Sequence, residues 1–469
     1  MDNNKSEYAI KVIRAGEENA KISPTFCLAK WKNVSMNLTS GFTHSCYHPP
    51  EHKIPLHELN ENYTALHNTI EKKEERRKML AGERPAGCSY CWKIEDTPGD
   101  HISDRSYRTA DIMDEYSHKE IVTNPDPANF DVIPSYVEVN FSSVCNFRCS
   151  YCSPHLSNSW QKEIEKFGPY PTTVPHNSVD YFKENGMMPI PAREYNPYVD
   201  AFWKWWPDLY KQLKHFRMTG GEPLMDVNTY KVLDYIAENK RSDLHLSITS
   251  NFCPDPKIMD KFYKSIGRIT NEESLAHFML YISCDAYGKR AEYIRNGMDF
   301  NYLVSNVEHF LQNYYHRSSI TFIVTVNLLS ITSLRDLIDK FILEMNRKYP
   351  RDRQVVWFDL PILHYPAWQS IQLLPPRYRD ILKADIQYFK ERMSNNFEDI
   401  HDFHIAKLER ILSWMEQGDN LPQEKIKRDR ADFFKFFSEH DARRGTNFLE
   451  TFPEMEDFWE LCFEAAINE

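Results

Sequence analysis

Short β-rich runs alternate with helical patterns between Tyr136 and Pro361, and this alternation restricts the fold more than any other feature of the chain. The runs lie at 136–142, 215–219, 244–251, 278–285, 320–327 and 355–361. Strands separated by helices pair in parallel through right-handed crossovers, with functional groups at their carboxyl ends. Six such units predict an α/β fold, a partial (β/α)6 barrel of the TIM type.

The segments on either side of this alternation differ from it. Residues 1–130 hold four clustered cysteines and a helical pattern over 57–83, and a linker with three Pro and two Asp follows at 124–135. Residues after 366 have apolar-faced helical patterns. We therefore predict three domains: a cysteine-rich domain at 1–130, the barrel at 131–365 and a helical C-terminal region at 366–469.

Composition excludes several classes of protein. The 469 residues carry 57 Lys and Arg against 68 Asp and Glu, a net charge of −11, without a long basic run. This balance counts against nucleic-acid binding, which depends on phosphate neutralisation. No stretch approaches the ~20 apolar residues of a membrane span. The polar N-terminal sequence lacks the apolar core of a signal peptide, so we expect a cytoplasmic protein without a membrane partner.

The ten cysteines are unevenly distributed along the chain. Seven lie in the first third, and three are scattered singly through the rest. In a reducing compartment, clustered cysteines indicate metal binding, whereas disulfides are rare there. The sequence therefore predicts a metalloprotein.

Three of the clustered cysteines directly follow the first predicted strand, in SSVCNFRCSYCS. Cys145, Cys149 and Cys152 can face one point, and soft thiolate ligands select an iron-sulfur cluster or zinc. His155 supplies a fourth side chain for a tetrahedral zinc site, so zinc remains an alternative here.

The next two predicted strands end in polar segments. MTGGEP closes the second strand, where Gly220 and Gly221 allow backbone to approach a ligand closely. Glu222, before Pro223, places a carboxylate where a cationic amine can pair with it. The third strand ends in TSN at 249–251.

The Cys-x3-Cys-x2-Cys loop followed by GGEP resembles the radical S-adenosylmethionine (radical SAM) superfamily over residues 136–361. The resemblance implies that the three cysteines hold a 4Fe-4S cluster whose open iron binds S-adenosyl-L-methionine (SAM). Reductive cleavage of SAM would give a 5′-deoxyadenosyl radical that abstracts hydrogen from a substrate. The SAM-binding residues that the resemblance implies are Tyr151, Gly220, Gly221, Glu222, Pro223, Ser250, Asn251, Ser283, Asp285, Arg295 and Asn327.

The four N-terminal cysteines form a second pattern, Cys-x13-Gly-x4-Cys followed by Cys-x2-Cys. The pattern comprises Cys27, Cys46, Cys88 and Cys91, and it resembles the twitch domain, a shorter relative of the SPASM domain. The resemblance implies a second, auxiliary 4Fe-4S cluster, either an electron relay or a substrate anchor. Twitch domains usually follow the barrel, whereas these cysteines precede it. A four-cysteine zinc site satisfies the same count.

Cys253 lies two residues after Asn251, where a thiol could return a hydrogen atom to a substrate radical. The alternative is a small buried core residue. No catalytic residue is otherwise identified from the sequence.

Twitch and SPASM relatives often modify peptides or protein side chains, so we expect such a substrate and an electron donor such as flavodoxin or ferredoxin. A small-molecule substrate, such as a nucleotide, sugar or cofactor precursor, is the first alternative. A non-catalytic zinc-binding scaffold is the second.

Overall fold

The computed structural model describes residues 3–99, 101–174, 178–191, 193–271, 274–314, 317–349, 354–393 and 400–468. The strands are β1 Asn33–Asn37, β2 Phe42–His44, β3 His52–Lys53, β4 Tyr136–Asn140, β5 Arg148–Cys149, β6 His215–Thr219, β7 His245–Ser250, β8 His277–Ser283, β9 Arg295–Asn296, β10 Ser318–Ile323 and β11 Val356–Asp359.

The α-helices are Asn3–Ile22, Ala29–Lys32, Leu56–Glu61, Ile70–Leu80, Ser89–Glu95, Asp104–Ile112, Ser117–Val122, Asn158–Phe167, Val179–Glu184, Pro197–Gln212, Val227–Glu238, Pro256–Asn271, Lys289–Ile294, Phe300–Asn313, Leu334–Ile338, Met345–Lys348, Pro376–Lys390, Asp402–Glu416, Gln423–Arg444, Phe448–Thr451 and Glu456–Ile467. Among the described residues, none of these helices combines the length and the apolar character that a membrane crossing requires.

The described strands form a nine-stranded, mostly parallel sheet in the order β11-β10-β8-β7-β6-β4-β1-β2-β3, and β5 pairs with β9 in a separate ribbon. Each of the six predicted runs contains one strand of the sheet, so the α/β prediction is confirmed. The pairings of β4 with β6, of β8 with β10 and of β10 with β11 are parallel. Closure of this sheet into a partial barrel stays a prediction.

The N-terminal segment contributes strands that the sequence pattern did not predict. β1 pairs in parallel with β4, with Asn37 opposite Asn140, and β2 and β3 follow as an antiparallel meander. The residues of β1, NVSMN, alternate between polar and apolar, and a turn follows at 38–41. The cysteine-rich segment therefore extends the sheet.

The predicted helix over 57–83 is wrong in its middle, because two polar side chains cap helix ends inside it. The Asn62 side chain accepts a hydrogen bond from the Thr64 amide at 2.9 Å. The Thr69 hydroxyl accepts one from the Lys72 amide at 3.2 Å and begins the helix Ile70–Leu80. Such side chains compete with the helical hydrogen bonds of the backbone, so the pattern divides into two helices.

The chain forms two compact units. The first comprises residues 1–142, 190–220 and 243–246, and its core packs around Trp31, which stacks on Phe26 with ring centroids 4.7 Å apart. Cys27, Cys88 and Trp92 belong to the same buried cluster. Part of the cysteine-rich segment thus lies within the apolar core of this unit.

The second unit comprises residues 143–189, 221–242 and 247–469. Its C-terminal part is helical, as the sequence predicted for residues beyond 366. Aromatic side chains fill it; the Trp368 and Phe436 rings, for example, lie 4.2 Å apart. The domain boundaries drawn from the sequence remain predictions.

Candidate functional site

The three-cysteine loop, residues 143–157, follows β4 and is held by hydrogen bonds from its own side chains and those of the next helix. Asn158 accepts a bond from the Cys145 amide at 3.0 Å, and the Ser159 hydroxyl donates to the Cys145 carbonyl at 2.6 Å. The Trp160 indole donates to the Cys149 carbonyl at 2.9 Å. The helix that follows the motif therefore fixes the backbone at two of the three cysteines.

The thiols of the three-cysteine loop lie close enough together to affect one another's ionisation. Burial, followed by the charge of Cys149, raises the pKa of Cys145 to about 12. The pKa of Cys152 is raised by burial and by both other thiols. Three half-buried thiols with raised pKa values stay protonated unless a cation compensates their charge.

This donor set fits an iron-sulfur cluster, because bound metal deprotonates thiols outright and sulfur is the ligand that iron-sulfur clusters use. Within the described residues, no three His, Cys, Asp or Glu side chains are arranged to hold a metal ion. The chemistry of three thiols suits a cluster, and cluster binding at this loop stays a prediction.

The segment after β6 contacts the three-cysteine loop through its backbone. The Glu222 amide donates to the Val144 carbonyl at 2.7 Å. A methyl group on Gly221 would lie 2.4 Å from the same carbonyl oxygen. Glycine at this position is therefore required by a close approach between two backbone segments.

Gly220 belongs to the first unit and has a left-handed φ of 124°. A methyl group there would lie 2.2 Å from Asn140 Oδ1. The fold therefore requires glycine at both positions of the motif, in addition to any contact that they make with a ligand.

The Glu222 side chain connects the segment after β6 with the end of β7. Its carboxylate accepts hydrogen bonds from the Ser250 hydroxyl at 2.8 Å, the Asn251 amide at 2.7 Å and the Leu224 amide at 3.0 Å. Burial raises its pKa to about 7, although the three donors act in the opposite direction. The carboxylate therefore holds two strand ends in place.

The end of β7 also contacts the three-cysteine loop. Asn251 Nδ2 donates to Asn146 Oδ1 at 2.7 Å, and Asn146 Nδ2 donates to the Cys253 carbonyl at 2.9 Å. Phe252 between them has a φ of 56°, which non-glycine residues seldom adopt. The Cys253 thiol is buried and donates weakly to the Asp299 carbonyl at 3.7 Å, so its burial fits the core alternative.

Asp285 and Arg295 form a buried ion pair beside Cys149. Arg295 Nη2 donates to Asp285 Oδ1 at 2.9 Å, and the Tyr151 hydroxyl donates to Asp285 Oδ2 at 2.8 Å. Arg295 Nη1 lies 3.6 Å from Cys149 Sγ, within hydrogen-bonding distance for sulfur. Three predicted site residues and one cysteine thus form one connected network.

The remaining predicted residues occupy less direct positions. Ser283 is the half-buried last residue of β8, and Pro223 begins a short 3-10 helix. Asn327 is fully buried and uses its side chain locally: Nδ2 donates to the Thr325 carbonyl at 2.9 Å, and Oδ1 accepts from the Leu329 amide at 3.0 Å. These local bonds satisfy the Asn327 side chain within its turn.

Cys27, Cys46, Cys88 and Cys91 line one cavity in the first unit, hereafter the four-cysteine cavity. Burial and the other three cysteines raise the pKa of Cys27 to about 12. Lys30 also lines the cavity and hydrogen-bonds to Cys88, which lowers the pKa of that thiol against the larger effect of burial. The structure brings the predicted four ligands together.

Sequence reasoning missed Asn146, Lys30 and Arg444. Asn146 lies inside the cysteine motif and could have been identified by its position. Arg444 lies almost three hundred residues from the loop, yet it donates to the Arg148 carbonyl at 3.1 Å and pairs with buried Glu163 at 3.1 Å. No local pattern in the sequence indicates such a contact.

Comparisons with known proteins give distant structural neighbours. No family model and no curated protein matches the chain. Streptococcus suis SuiB bound to S-adenosylmethionine aligns with 77% of this chain and 70% of its own, at 14% identity and a TM-score of 0.35. SuiB bound to its precursor peptide SuiA aligns with 78% and 71%, at 13% identity and a TM-score of 0.35.

Proposed function

We propose that this protein is a radical SAM enzyme that abstracts hydrogen from a peptide or protein side chain. The observation that carries the proposal is the set of hydrogen bonds between the three-cysteine loop and the segments after β6 and β7. Val144 accepts from Glu222, and Asn146 accepts from Asn251. Cysteines, glycines and polar strand ends that are far apart in sequence therefore meet at one place.

In this proposal Cys145, Cys149 and Cys152 hold a 4Fe-4S cluster that, when bound, supplies the electron for SAM cleavage. The protein positions the reacting groups and keeps water out. The backbone of 220–223 and the Tyr151 backbone would contact SAM. Ser250, Asn251, Ser283, Asp285, Arg295 and Asn327 are proposed to line its remaining surface.

The four-cysteine cavity is proposed to hold a second cluster. Four thiols on one cavity, with the Lys30 ammonium beside them, suit an anionic metal–thiolate centre, and this holds for zinc as well as for iron. Peptide modification is the preferred activity because the N-terminal cysteine pattern resembles the twitch domain. A flavodoxin or ferredoxin would supply electrons.

Anaerobic purification tests the proposal. We expect a brown protein with about eight irons per chain, four for each cluster, that produces 5′-deoxyadenosine from SAM and a reductant. Alanine at all three cysteines of the loop should remove about half of the iron and abolish 5′-deoxyadenosine production. Cys462→Ala, which removes a fully buried cysteine elsewhere, is the matched control. A chain that binds no iron after anaerobic reconstitution would contradict the proposal.

Retained SAM cleavage in the triple variant would mean that the wrong cysteines were assigned. About four irons and one zinc per chain would keep the cluster at the three-cysteine loop and replace the auxiliary cluster with zinc. Zinc at both groups would favour the scaffold alternative.

A further inference from the structure

Arg295 is tied to Cys149 through the backbone. β5 and β9 form a two-residue antiparallel ribbon in which Cys149 pairs with Arg295 and Arg148 pairs with Asn296. This ribbon places the start of the Arg295 side chain beside the Cys149 side chain without dependence on any ligand. The pairing brings a cationic side chain to one particular thiol of the three.

The guanidinium is directed at the sulfur by its other partner. Arg295 Nη1 lies 3.6 Å from Cys149 Sγ, while Nη2 donates to Asp285 Oδ1 at 2.9 Å and Nε lies 2.9 Å from Asp285 Oδ2. The side chains of Arg295 and Asp285 are 8% and 0% exposed. One hydrogen bond and one close ion-pair contact with Asp285 restrict the plane of this buried guanidinium, and with it the direction of Nη1.

Asp285 is in turn held by groups from two other segments. The Tyr151 hydroxyl donates to Oδ2 at 2.8 Å, and the Thr325 amide donates to Oδ1 at 2.9 Å. Arg295 Nη2 also donates to Oδ1, so three hydrogen bonds and the close contact with Arg295 Nε hold the Asp285 carboxylate in place.

We propose that Arg295 is a positioning residue that donates an N–H···S hydrogen bond to the Cys149 thiolate, with Asp285 as its anchor. The inference rests on the proposed function, because it concerns a cluster at the three-cysteine loop. Hydrogen bonds to cluster sulfur stabilise the more negative, reduced state and so raise the reduction potential. Partners outside the ligands themselves commonly tune a metal centre in this way.

The test is an EPR-monitored redox titration of the iron-loaded protein, following the cluster whose signal changes when SAM is added. Arg295→Met should move its midpoint potential to a more negative value while the iron content stays near that of the parent. Arg295→Lys keeps the charge but not the planar fork, so its midpoint potential should lie between those of Arg295→Met and the parent.

Arg148→Met is the matched control, since Arg148 is next to Cys149 in the chain but pairs with Glu163 at 3.2 Å. An equal shift in this control would show a general charge effect and overturn the inference. An unchanged midpoint in iron-loaded Arg295→Met would also overturn it. If that variant does not fold, an unchanged midpoint in Arg295→Lys overturns it instead. A parent protein without iron at the loop overturns the proposed function together with this inference.

Discussion

Glu222→Ala tests whether the buried carboxylate holds the segment after β6 to the end of β7. The substitution leaves the Asn251 and Leu224 amides without an acceptor, and both residues are buried. An orphaned buried N–H costs about 1–3 kcal/mol, so two cost about 2–6 kcal/mol. Glu222→Gln keeps one acceptor oxygen and turns an amide N–H₂ toward the other donors. We expect it to cost about half as much, about 1–3 kcal/mol.

The measurement is native-state hydrogen exchange of peptides covering 143–149 and 222–252, because it reports local opening free energies. A loss of about 2 kcal/mol accelerates exchange by about thirtyfold. Glu238→Ala, at the exposed end of the helix Val227–Glu238, should leave exchange in these peptides unchanged. Exchange in Glu222→Ala within about threefold of the parent, less than 1 kcal/mol, would refute the assignment of the carboxylate as a clamp.

Three further outcomes are expected. Alanine at both Cys88 and Cys91 should leave SAM cleavage intact but block product formation, since an oxidised product has to give up an electron. Circular dichroism and gel filtration first check that the variant folds. A folded variant with full turnover would show that the four-cysteine cavity is structural. Gly221→Ala places a methyl 2.4 Å from a carbonyl of the three-cysteine loop, should cost about 1–3 kcal/mol and should weaken iron retention. Gly267→Ala, with 3.4 Å to its nearest neighbour, should be tolerated in the same iron assay. Burial raises the pKa of Glu222 from 4.5 to about 7, so its protonated form is favoured in the folded state. The stability that this raised pKa contributes should be complete below pH 4.5 and be lost as the pH rises through about 7. The loss should be about 3 kcal/mol at most. Urea unfolding across this range should show a shallower slope in Glu222→Gln, and an unchanged slope would contradict this assignment.

Local sequence patterns determined the strands of the sheet. Each of the six β-rich runs contains a strand because short apolar runs bounded by turn residues and helices have few other ways to bury their side chains. The helical C-terminal region followed from the same reasoning. The pattern failed at 57–83, where Asn62 and Thr69 cap helix ends. β1 was not predicted, although its residues NVSMN alternate between polar and apolar.

Close spacing in the sequence keeps Cys145, Cys149 and Cys152 near one another, and Cys88 near Cys91. The fold of the first unit brings Cys27 and Cys46 to the same cavity as Cys88 and Cys91. Only the tertiary structure decided what the polar residues around them do. The Glu222 carboxylate accepts hydrogen bonds from Ser250 and Asn251, and the Asp285 carboxylate accepts one from Arg295. The physical reason is that a buried polar group must find a partner. Packing decides which partner it finds when the two lie tens or hundreds of residues apart, and no local sequence pattern indicates the contact. The bond from Arg444 to the Arg148 carbonyl is an example.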